Sequence, residues 1–95
     1  MTDLQCPATA VLLDDTAPAP PWTARLRVAG RFAARGPEEL TSLVQDSADL
    51  FRGETFVVAA PAGDIEAALR HQGLGGRAPA VVAVDSSGWR SVPAP

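Results

Sequence analysis

Ninety-five residues with one cysteine leave room for one small domain and exclude an intramolecular disulfide framework or a thiolate zinc cluster. All eight cations are arginines, set against eleven acids for a net charge of −3. That balance argues against nucleic acid or an anionic membrane as partner, since both need a basic footprint.

The chain is 46% hydrophobic, but its only aromatic residues are two tryptophans and three phenylalanines. Phe32, Phe51 and Phe56, with the Val, Leu and Ile residues, supply the large core pieces. Each contributes roughly 1.5–3 kcal/mol when buried, and little is left once chain entropy is offset. A homo-oligomer or a protein partner is therefore expected. The alanine-, proline- and arginine-rich composition fits a GC-rich bacterial genome. No basic N-terminal region precedes a long apolar run, and no apolar stretch is long enough for a membrane span, so a cytoplasmic chain is expected.

In chain order, Met1–Pro7 reads as a loose tail and Ala8–Leu13 as a first strand, ended by Asp14-Asp15-Thr16. Ala17–Pro21 carries three prolines, which fix φ and lack an amide donor, so it reads as a stiff connection. From Ala24 the alternation is clean. Leu26, Val28, Gly30 and Phe32 fall on one side, and Arg25, Arg27, Ala29 and Arg31 on the other. This predicts a half-buried strand over 24–33 with an arginine-bearing open face.

Gly36-Pro37-Glu38-Glu39 carries the start signals of a helix, proline at the first position and acids facing the positive dipole end. Leu40, Leu43, Val44, Leu50 and Phe51 predict its apolar stripe, with Ser47 and Ala48 as small members, and Arg52-Gly53 closes it. Thr55–Ala60 is apolar on both faces and predicts a central strand. Pro61-Ala62-Gly63-Asp64 turns into a helix over 65–72, with Asp64 as its cap. Pro79–Val84 reads as another buried strand, and its link to Thr55–Ala60 through a helix suggests a parallel unit. Asp85–Gly88 is a turn, Trp89–Val92 a short edge strand and Pro93–Pro95 a tail.

The expected fold is a single small α/β domain (α+β being the alternative) over residues 1–95. It is a two-layer sandwich in which two helices cover one face of a mixed four- or five-stranded sheet, in the order β-β-α-β-α-β(-β).

Chemistry is harder to find. His71, the one histidine, falls in the last turn of the second helix, where it complements the dipole as a solvated cation. No serine stands in a nucleophile elbow, and Cys6 is read as incidental. No metal or other cofactor is implied. The binding candidates are the arginines Arg25, Arg27 and Arg31 with Trp22 nearby, the helix start at Gly63, and Asp85 at a strand's C-terminal end. If the strands Thr55–Ala60 and Pro79–Val84 are adjacent, Asp85 neighbours the loop 60–64.

Asp15-Thr16-Ala17-Pro18-Ala19-Pro20 with Arg25-Leu26-Arg27-Val28-Ala29-Gly30 resembles a segment of actinobacterial split-barrel proteins related to flavin-binding pyridoxamine-phosphate oxidases. That barrel needs more strands than this chain supplies. Arg52-Gly53-Glu54-Thr55-Phe56-Val57-Val58 and the helix Ile65–Leu69 resemble the late strand–loop–helix of histidine phosphatases. Ala59-Ala60-Pro61 stands where that family's strand would end in a catalytic histidine, and the amino-terminal Arg-His-Gly is missing. That resemblance implies a relative without phosphatase chemistry, and neither likeness assigns a family.

The leading expectation is a non-catalytic binding or accessory module, acting as a homodimer or as a subunit of a larger complex. The alternative is a small-anion or phosphate-ligand binding protein, or a degenerate phosphatase-like enzyme, using Arg25, Arg27 and the Ala62–Asp64 loop.

Overall fold

The computed structural model describes residues 6–94. Its elements are β1 (Ala8–Asp14), a 3-10 turn (Pro21–Arg25), β2 (Gly30–Ala33), α1 (Pro37–Leu50), β3 (Thr55–Ala60), α2 (Ala62–His71), β4 (Ala80–Asp85) and β5 (Gly88–Ser91). The result is a mixed five-stranded sheet with two helices, a small α/β domain of the expected element order. The part of the expected N-terminal tail that spans 1–5, and residue 95 of the C-terminal one, lie outside the described residues.

The strands run in the order β2-β3-β1-β4-β5 across the sheet. β2, β3 and β1 are parallel, while β4 is antiparallel to β1 and β5 antiparallel to β4. The sheet is open at two edges, so the barrel implied by the split-barrel likeness is not this architecture. The parallel crossover is not the one expected from β3 and β4. β1 inserts between those strands, and β4 runs the other way. Of the two adjacent parallel pairs, β1–β3 and β2–β3, the one bridged by a single helix is β2–β3, joined by α1.

Register sorts the side chains between the two faces. Ala8, Ala10 and Leu12 of β1, Phe56, Val58 and Ala60 of β3 and Val82 and Val84 of β4 share one buried cluster. Leu40 and Val44 of α1 and Ile65, Ala68 and Leu69 of α2 close over it. Both helices therefore cover the same face. Phe32, Phe51 and Phe56 fill its β2 corner with ring centroids 5.9–6.2 Å apart, a separation at which aromatic pairs attract beyond their area burial. Trp89 of β5 closes the far side, and its buried indole N–H meets no hydrogen-bond partner among the described residues.

Leu50 departs from the expected stripe and is 77% exposed. It lies six residues past Val44, about 240° round the helix axis, and so points away from the sheet.

The second face carries Val11, Val57 and Val81, and it is not open. Trp22, Leu26, Leu13, Val28 and Val92 pack onto it. The predicted strand over 24–33 is correspondingly shorter, being regular only over Gly30–Ala33. The burial alternation holds from Arg25 to Ala33, but Leu26 and Val28 lie against the second face while Phe32 joins the helix-side cluster.

Gly30 is fixed by close approach. A Cβ there would stand 3.0 Å from two ring carbons of Phe32 and 3.2 Å from Phe51. At Gly63, in the first turn of α2, a Cβ would meet nothing within 4 Å. Gly30→Ala is accordingly expected to cost about 1–3 kcal/mol by overpacking. Gly63→Ala is expected to stabilise by about 0.4–1 kcal/mol through the unfolded chain. Urea denaturation of the two variants should give midpoints on opposite sides of the parent's.

Candidate functional site

The arginine candidates sit on a strap laid across the second face. Pro20 is extended (φ −60°, ψ 149°) and Pro21 opens the 3-10 turn. The Thr23 hydroxyl and amide both donate to the Pro20 carbonyl, at 2.7 and 3.0 Å, and the Leu26 amide donates to the Thr23 carbonyl at 3.2 Å. The strap then straightens, and at Ala29 its amide donates to the Thr55 carbonyl at 2.8 Å, alongside β3.

With Trp22, Leu26 and Val28 turned to the sheet, Arg25 and Arg27 are exposed between them. Arg31 is exposed on β2, opposite Val57 and hence on the same face of the sheet as the strap. Arg25, Arg27 and Arg31 thus line one continuous stretch ending in an edge strand. They do not stand on a bare sheet face, and Trp22 is half-buried as part of the strap's own packing.

The helix-start candidate is arranged differently from expectation. Pro61 occupies the cap position of α2, with no side-chain cap. The Asp64 carboxylate instead accepts a 2.7 Å hydrogen bond from the Gly36 amide, at the entrance to α1. It therefore ties the starts of two helices together and sets a negative charge in the first turn of α2.

Asp85 lies far from that loop. β4 runs antiparallel to β1, so Asp85 falls at the end of the sheet where β1 begins, Val84 pairing with Ala8, whereas Ala60 lies at the end where β1 finishes, opposite Asp14. Asp85 is a turn residue: its Oδ1 accepts from the Ser87 hydroxyl at 2.7 Å and from the Ser87 amide at 2.9 Å. Asp14 makes the same arrangement with Thr16. Beside Asp85 a groove of about 340 Å³ brings together Cys6, Asp49, Arg52 and Trp89, with Arg52 Nη2 3.5 Å from Asp49 Oδ1. Asp49 and Arg52 stand three residues apart at the end of α1, but no sequence spacing relates that pair to Cys6 or to Trp89 of β5.

His71 is exposed at the end of α2 and shares an interhelical groove with Glu38 and Ser42 of α1. Sequence reasoning missed this convergence, since the three residues are joined only by helix packing. No hydrogen bond links the histidine to either of them. Among the described residues, no three His, Cys, Asp or Glu side chains are placed to hold a metal ion. Nor is any helix there long and apolar enough to cross a membrane.

No protein-family model, curated protein or solved structure matches the chain.

The two aspartate turns carry a pH signature. Hydrogen bonds from the Thr16 amide and then its hydroxyl lower the pKa of Asp14. The Ser87 hydroxyl and then its amide lower that of Asp85. A carboxyl whose folded pKa lies below its unfolded value contributes stability above the unfolded value, about 4, and loses it as pH falls through the folded one. The melting temperature is therefore expected to drop between about pH 5 and pH 3. The double variant Asp14→Asn, Asp85→Asn keeps the acceptors but not the charges, and should show a shallower drop in the same scan.

Proposed function

We propose that this chain is a non-catalytic binding module that works by associating with another protein. The observation that carries the reading is the row Arg25, Arg27 and Arg31. All three are exposed, on one stretch of chain, and none is among the residues that form ion pairs with described carboxylates. Arg35 and Arg52 are set against Asp15 and Asp49, and the remaining exposed arginines, Arg70, Arg77 and Arg90, are scattered over α2, the loop after it and β5 rather than clustered. An acidic protein gains no folding stability from three neighbouring unpaired arginines, and exposed arginine is enriched where proteins meet. Of the two expected partners, a different protein is the one we propose over a second copy, because like charges brought face to face between two copies repel.

The test uses the full chain as bait in extract from its own cells, under gentle salt. The parent is expected to co-purify with a partner in fixed ratio. The variant Arg25→Ser, Arg27→Ser, Arg31→Ser should lose the partner while its stability stays within about 0.5 kcal/mol of the parent's, as for exposed substitutions generally. A monomer by light scattering with no partner in fixed ratio would overturn the reading. A melting temperature that climbs with added phosphate or dicarboxylate, by mass action, would replace it with the small-anion reading centred on Arg25, Arg27 and the Ala62–Asp64 loop.

A further inference from the structure

We infer that the partner docks by adding an extended acidic segment, as a sixth strand, to the outer edge of β2. This rests on the protein-association reading and names its surface and chemistry. The sheet ends at two strands, β2 and β5. β5 is only four residues long, follows a tight turn at Ser86-Ser87, and is succeeded after Val92 by Pro93, which has no amide to offer a neighbour; such an edge is blunted. No proline interrupts the chain from Trp22 to Gly36. Its pairing with β3 runs from the Ala29 amide to the Ala34 amide, each donating to β3 carbonyls at 2.8 and 3.0 Å. Among the described residues, no strand lies on the other side of β2.

The side chains bordering that edge define the occupant. On the strap's face the added strand meets Arg31; Arg25 and Arg27 lie beyond the regular strand, on the strap across that face, and add to its positive charge. On the helix face it meets Phe32, half-buried against Phe51 and Phe56. Side chains of a strand alternate between faces. The fitting segment therefore carries a carboxylate beside Arg31 on the strap's face and, on the neighbouring position, an apolar group beside Phe32, with further acids favoured by the charge of Arg25 and Arg27. Main-chain hydrogen bonds supply affinity in strand addition, and side chains the selection. A second copy of β2 is disfavoured, since it would set arginine against arginine across the junction. A polyanionic nucleic acid is disfavoured by the chain's net charge of −3 and could not use the strand edge's main-chain groups as a ladder.

The experiment measures fluorescence anisotropy of a labelled peptide of alternating glutamate and valine against the full-length protein. Binding is expected to weaken about tenfold or more when salt rises from about 0.05 to about 0.5 M, as rim charge pairs are screened. It should also be lost in Arg31→Glu, and in a peptide whose central valines are replaced by proline. Alanine in place of Gln45, on the opposite helix surface, should leave it unchanged. Equal binding of a lysine–valine peptide, retention by the proline peptide, or tighter capture of a single-stranded oligonucleotide would each overturn the inference. So would the absence of peptide binding from a chain that still co-purifies with its partner, an outcome that leaves the association reading standing. Loss of both would end the two together.

Discussion

The fold depends on the need to cover both faces of two adjacent strands. β1 buries Leu12 on one side and Val11 on the other, and β3 does the same with Val58 and Val57. Neither strand can lie at an edge or face water, and every other element follows from that. On one face the cover is two helices, which come close because many of the meeting residues are alanines: Ala8, Ala10 and Ala60 of the strands, Ala48 of α1 and Ala68 of α2. The thin packing leaves a corner that the three phenylalanines fill, and this is why Gly30 has no room for a side chain. On the other face no helix is available. A proline-stiffened strap with one tryptophan and two aliphatic residues serves instead.

Local chemistry made much of this legible. Gly36-Pro37 starts α1 and Gly53 follows it with φ 76°. Short β-branched runs became β3 and β4, and Asp85-Ser86-Ser87 formed its turn through contacts two residues apart. What stayed hidden is what short-range signals do not encode. An apolar run looks the same whether the strand lies parallel or antiparallel to its neighbour, so the position of Asp85 could not be read. The alternation from Arg25 to Ala33 was correct as burial and misleading as structure. Leu26 and Phe32 are both half-buried, but on opposite faces of the sheet. Asp64 had the right residue type for a cap, yet the Gly36 amide, brought in by tertiary packing, took its carboxylate.

The candidate site shares this split. Three arginines at near-regular spacing were visible as a charge pattern, and their exposure follows directly. Their setting, on a strap whose apolar partners are consumed by packing, required knowing that the second face was covered. It also moves the surface of interest from the middle of a sheet to its rim. Charge at a rim both discourages a copy of the same strand and selects for a complementary one.

The placement of β1 bears on how the chain reaches this state. β2, α1 and β3 are consecutive and can assemble as they are made. β1 precedes them, yet it pairs with β3 through Thr9 and Thr55 and with β4 through Ala8 and Val84. During synthesis this apolar central strand therefore emerges first and must wait for β3 on one side and for β4 on the other. Pairings so distant in sequence slow folding, and an apolar strand without neighbours is prone to wrong partners in the interval. The acidic turn Asp14-Asp15 directly behind Leu12 and Leu13 places like charges at its end, which keeps two waiting chains apart.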